Sequence, residues 1–170
     1  MSDNQIIFRS IGIIRTEHTN PEATPIQPIF AKDCEGCVMV APEFVAGLAD
    51  IEDFSHVYLV YHLHKVSRVT LVTKPFMQDK EHGVFATRSP CRPNPIGLSI
   101  VRLVSRDGGT LIVKGADMLD GTPLLDIKPY TRRFDNISTE RNGWQDEVDD
   151  ATAAKLGVRN YCNRHLSSAE

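Results

Sequence analysis

Pro90, Pro93 and Pro95 crowd into the stretch GVFATRSPCRPNPIGL at residues 83–98. Each proline fixes φ and removes a backbone donor, so the stretch must form a stiff loop outside any central sheet strand. Arg88 and Arg92 are displayed on that support. A second segment, GADMLDGTPLLDIKPY at residues 115–130, adds Pro123 and Pro129 together with Asp117, Asp120 and Asp126. Fixed backbone and charge at this density exceed what a core strand needs, and the two segments are read as lining one site.

The remaining chain alternates short strands with turns. IIFRSIGII at residues 6–14 reads as a strand with an internal glycine, which marks a bulge or a close backbone approach. Residues 16–28 carry three prolines and little apolar pattern, so they are expected to be irregular. Within them Gln27 lies between Pro25 and Pro28, where a held amide can donate and accept in fixed directions. Residues 37–41 read as a strand, and the segment from Pro42 as a short helix. SHVYLVYHLHKV is strongly strand-like. It puts His56, Tyr58, Val60, His62 and His64 on one face and Val57, Leu59, Tyr61 and Leu63 on the other. Residues 68–73 are read as a possible continuation of the sheet. The run from Ile96 to Met118 forms a hairpin about Asp107, Gly108 and Gly109, and residues 124–127 give one further strand. DDATAAKLGV predicts a helix capped by Asp149 or Asp150 and ended by Gly157. The fold class this implies is mainly β: an antiparallel β-barrel with a few short helices.

At 170 residues the chain is long enough for one globular core. No apolar run reaches membrane-spanning length and the first residues lack a secretory pattern, so a cytoplasmic protein with no membrane partner is expected. Cys34, Cys37, Cys91 and Cys162 show no disulfide framework. The net charge is −3, yet residues 80–133 hold nine Lys or Arg against five Asp or Glu, so a basic patch on an acidic body is available to RNA.

Other chemistry finds less support. Cys34-x-x-Cys37 has no second pair to complete a zinc site and reads as flanking a turn. His62-x-His64, with His56 or His82, has metal-ligand spacing but lacks an evident acidic ligand. There is no Rossmann or P-loop glycine pattern and no G-x-S-x-G elbow. A metal is therefore not expected.

PIQP near the start, FSHVYLVYHLH, GVFATRSPCRPNPIGLS and LDGTPLLDIKPY, in that order, resemble the TsaA-like domain of TrmO-type tRNA methyltransferases. The resemblance runs from residue 6 to about residue 135, implying a barrel domain over 1–135 and a partly helical extension over 136–170. It implies a dimer that uses S-adenosyl-L-methionine, held near the subunit interface, to methylate the exocyclic amine of threonylcarbamoyl-adenosine beside the tRNA anticodon. It places the cofactor on Gln27, Leu63, His64, Arg88, Leu98, Asp117, Met118, Leu119 and Asp120. Asp117 and Asp120 are further expected to assist the reacting amine, and Arg92, Lys128, Tyr130 and Arg132 to contact RNA. A non-catalytic barrel that binds RNA or a small ligand is the rival of a different class, and a cupin-like metal enzyme is a third.

Overall fold

The computed structural model describes residues 5–159; Cys162 lies outside the described residues. Six strands close into an antiparallel barrel. They are β1 (Gly12–Thr16), β2 (Glu35–Val40), β3 (His56–His62), β6 (Ile96–Asp107), β7 (Thr110–Lys114) and β8 (Thr122–Pro129), ordered β1-β2-β7-β6-β3-β8 with β8 returning to β1. The period-two pattern dictates the closure. On β3, Val57, Leu59 and Tyr61 are buried while the alternate residues face outward. Ile14, Val38, Val101, Leu111, Val113 and Leu124 meet them inside the barrel. Each such aliphatic side chain stabilises the fold by about 1.5–3 kcal/mol on burial.

Gly12 shows the close approach expected of it: a Cβ there would lie 2.2 Å from the Met39 carbonyl oxygen. The strand, however, begins at Gly12 and not at Ile6: β2 ends at Val40, and after the bonds Ile11 makes with Leu124 and Ala41 the described residues before it find no ladder partner. Ile6, Ile7 and Phe8 are exposed as a result. The segment from Pro42 is a 3-10 helix, Pro42–Leu48, stopped before Asp50, whose φ is 63°. The β6–β7 hairpin turns on Gly108, with φ 55°, as its sequence predicts.

Two further differences have physical causes. The residues 68–73 do not extend the sheet, since both edges of β3 are already paired, with β6 and with β8. Instead β4 (Val72–Thr73) pairs with β5 (His82–Gly83) in a separate ribbon. Cys34-x-x-Cys37 does not flank a turn: β2 starts at Glu35, so Cys37 lies within a strand.

Beyond β8 come α1 (Arg132–Asp135), a 3-10 helix (Gly143–Glu147) and α2 (Asp150–Gly157), the last capped by Asp149 through the Thr152 N–H at 2.8 Å. Gly157 is a glycine for closeness and not for a left-handed turn, because a Cβ would meet the Phe30 ring at 2.4 Å. Its carbonyl accepts from Ile26 N at 2.9 Å. At the other end of this segment Trp144 stacks on His82 and donates through Nε1 to the Ala86 carbonyl at 2.8 Å. Residues 143–159 therefore touch the loops carrying both Gln27 and Arg88. Among the described residues no helix is long and apolar enough to cross a membrane.

Candidate active site

The proline-arginine loop is held from within and from the barrel. Thr87 Oγ1 donates to the Val84 carbonyl at 2.9 Å, Arg92 N to Pro90 at 2.8 Å, and Leu63 N to Pro95 at 2.8 Å. The last of these ties the loop to the end of β3. Thr70 N adds a bond to the Cys91 carbonyl at 2.9 Å. From this support Arg88 Nη1 donates to Gln27 Oε1, while Gln27 Nε2 donates to the Ile26 carbonyl at 2.6 Å. The two residues that the family resemblance assigns to the cofactor, 61 positions apart in the chain, thus meet.

Asp117 stands just past β7, and Ser99 Oγ donates to its Oδ1 at 2.6 Å. With the serine hydrogen committed there, the Tyr61 hydroxyl, 2.9 Å from Ser99 Oγ, is the donor of the next bond. The order of the chain is therefore Tyr61 to Ser99 to Asp117. Burial pushes the Asp117 carboxyl up to about 7, against the opposing pull of Ser99, its own backbone N–H and the Arg88 charge. Burial, followed by the Asp117 charge, raises the Tyr61 phenol and keeps it a neutral donor. His64 contacts Thr122 Oγ1 at 3.4 Å; burial and then Lys65 and His62 lower its pKa, so a neutral imidazole is favoured.

The two aspartates separate. Asp120 Oδ1 accepts from Thr16 N at 3.1 Å and pairs with Arg15 Nε at 3.0 Å. It lines a cleft of about 370 Å³ with Arg15, Glu35 and Cys37 on the β1–β2 side. Met118 is buried, and its carbonyl accepts from Thr16 Oγ1; the Leu119 carbonyl accepts from Thr122 Oγ1. Leu63 packs on the core. Leu98, opposite Val60, turns to the outer face and is 55% exposed. Arg92 is half-buried, with Nη1 donating to the Thr87 carbonyl at 3.3 Å.

Lys128, Tyr130 and Arg132 lie elsewhere. Lys128 pairs with Tyr58, and Tyr130 N bonds the His56 carbonyl, so they adjoin the start of β3, whereas the proline-arginine loop is fixed at its end. Six residues at about 3.3 Å each put roughly 20 Å between the two positions. Among the described residues no group of three or more His, Cys, Asp or Glu is placed to hold a metal ion.

Residues 13–136 match the family model of the tRNA-methyltransferase O N-terminal domain. The chain belongs to this family. It is 54% identical over 139 residues to a probable S-adenosyl-L-methionine-binding protein of Pyrococcus abyssi, covering 82% of this chain and 76% of that one. It is 34% identical over 173 residues to the tRNA (adenine(37)-N6)-methyltransferase of Mus musculus, covering 96% of this chain but only 39% of the mouse protein. The crystal structure of TrmO from Pseudomonas aeruginosa superposes with a TM-score of 0.68 at 39% identity, over 82% of this chain and 62% of that one. The family's barrel fold is thus the fold described above.

For this member of the tRNA-methyltransferase O family, sequence reasoning missed Ser99, Tyr61 and Gly97. The signal was present in IGLS: two small inward positions on an otherwise apolar strand face, Gly97 and Ser99, are both buried. A buried hydroxyl needs a partner, and Asp117 is within its reach.

Proposed function

We propose that this chain is an S-adenosyl-L-methionine-dependent tRNA methyltransferase acting on the exocyclic N6 amine of adenosine beside the anticodon, with threonylcarbamoyl-adenosine as the preferred base. The observation that carries this reading is the Asp117 carboxyl, poised near 7 and oriented by Ser99, beside Arg88 in the loop that meets Gln27.

The donor set fits the cofactor. Gln27 and Arg88 offer an amide and a guanidinium to its polar ends, and the residues 117–120 offer carbonyls and carboxylates to its amines and hydroxyls. When bound, the cofactor supplies an electrophilic methyl on a sulfonium, so the protein's work is placement. Asp117 accepts a hydrogen bond from the amine, which aims the nitrogen lone pair, and it takes the proton as the nitrogen gains its methyl. Ser99 and Tyr61 fix the carboxyl's rotation. Asp120, committed to Arg15, acts on the cofactor side through the segment it ends and not on the proton. His64, Leu63, Met118 and Leu119 shape the pocket wall, while Arg92 faces the RNA from the proline-bounded turn.

A homodimer completes the site in this reading. Ile96, Leu98 and Ile100 form an exposed apolar stripe on the outside of β6, and Leu98 can border the cofactor where a second copy covers that stripe. The barrel over residues 1–135 carries the chemistry, the extension over 136–170 follows it with residues 143–159 bracing the loops, and the protein works in the cytoplasm.

The test is incubation of tRNA with the protein and S-adenosyl-L-methionine, followed by nucleoside mass analysis. A mass gain of one methyl on the anticodon-adjacent adenosine is expected, along with thermal stabilisation by the cofactor but not by ATP or NAD. RNA binding with neither methyl transfer nor cofactor stabilisation would leave the non-catalytic barrel standing instead.

A further inference from the structure

One row of outward side chains crosses the barrel at the start of β3. Lys114 on β7 is the register partner of Arg102 on β6, Arg102 is the partner of His56 on β3, and Tyr130 follows His56 through its N–H to the His56 carbonyl at 3.1 Å. Register partners share a face, with neighbouring strands about 4.8 Å apart, so the row is continuous. It ends in an aromatic corner. The Tyr130 ring lies 6.3 Å from that of His56 and 5.8 Å from that of Tyr58. Arg132 and Arg133 follow at once on α1, both exposed.

The anions near the row are already engaged. Glu35 sits 3.8 Å from Lys114 and Asp126 pairs with Lys128 at 2.8 Å, while Asp135, the one carboxylate at the corner itself, accepts from Thr131 N at 2.6 Å and from the Tyr58 hydroxyl. Among the described residues, Arg102, Arg132 and Arg133 enter no ion pair. Three exposed guanidinium groups free of ion pairs, on a row that ends in an aromatic corner, fit a phosphate backbone, which needs charge without base reading.

We propose that this outer row is a second RNA-contact surface, one that grips tRNA phosphates at a stretch distant from the target nucleotide. It deepens the methyltransferase reading and rests on it. The distance follows from topology: the row lies at the start of β3, and the loop bearing Arg88 and Arg92 is pinned at its end. RNA held by both must run along the barrel wall. The row therefore sets affinity and orientation, and the loop presents the base.

The experiment uses the full chain with Arg102, Arg132 and Arg133 changed together to glutamine. tRNA affinity is measured across a salt series, alongside methylation kinetics, cofactor-induced thermal stabilisation and native mass. Each lost phosphate contact lowers the salt slope by about 0.7–0.9, so a fall of about 2 to 3 is expected for three. A raised KM for tRNA with kcat, cofactor stabilisation and mass retained completes the expected result. An unchanged slope overturns the inference. So does a change in native mass, which would assign the row to subunit contact. If the wild-type protein binds tRNA but transfers no methyl, the methyltransferase reading fails, while the slope comparison still decides whether this surface holds RNA.

Discussion

Gly97 on β6 and Tyr61 on β3 are register partners, and the tyrosine ring occupies the space that a side chain at 97 would need. A Cβ at that position would lie 2.1 Å from Tyr61 Cε2. The glycine thus lets the ring reach Ser99, and through it Asp117. Gly97→Ala is expected to destabilise the protein by about 1–3 kcal/mol, the usual cost of overpacking a closed core. A urea titration reads this as a lower midpoint at unchanged slope. Methyl transfer should fall as well, because the displaced ring releases Ser99. A variant with wild-type midpoint and rate would show that the barrel wall yields at no cost.

Asp117 makes stability depend on pH in a direction opposite to most carboxylates. Its folded pKa is about 7, above the roughly 3.9 of an unfolded aspartate. Between those values the native state holds a proton that the unfolded state has lost, so this group's contribution to stability is complete below about pH 4 and declines as pH rises to 7. Asp117→Asn removes that decline. The stability of the variant minus that of the wild type should climb across the window and level off above it, in denaturant titrations at several pH values. A flat difference would place the carboxyl in water.

The barrel was largely readable from pattern because closure follows from faces. Val57, Leu59 and Tyr61 alternate with outward residues, and Gly108 marks its hairpin. What pattern cannot supply is which end of a strand two segments share. Asp117 and Asp120, three residues apart, look like a pair, yet one turns to Ser99 and the other to Arg15. Arg92 and Lys128 look like one clamp, yet they belong to opposite ends of β3. Residues 68–73 had strand composition but no free edge to join. Each of these depends on ladder register, which is fixed by partners far away in sequence.

Arg88 and Gln27 meet across the mouth of the site, the guanidinium donating to the amide oxygen. This bond orients the arginine before any ligand arrives. Arg88→Ala should weaken S-adenosyl-L-methionine binding by about 1.5–3 kcal/mol, the range for a hydrogen bond to a charged group, or roughly 10- to 150-fold in Kd. Gln27→Ala should act in the same direction but less. Titration calorimetry separates the two, and equal affinity in the Arg88 variant would remove this residue from the cofactor pocket.

Trp144 connects the C-terminal segment to the loop that carries Arg88. Its ring stacks on His82 at 5.5 Å, its Nε1 donates to Ala86, and nearby Gln78 links His82 to Glu147 through bonds of 2.6 Å. Losing the stack and one hydrogen bond should cost about 1–3 kcal/mol in Trp144→Ala. The more telling measurement is local. Amide exchange over residues 78–88 should accelerate while the barrel strands keep their protection, because the loop loses an anchor that the core does not share. Cofactor affinity should drop with it, since Arg88 lies two residues beyond the anchored carbonyl. Trp144→Phe, which retains the stack without the N–H, should fall between the two. Unchanged exchange in this loop would make the segment a passenger on the barrel.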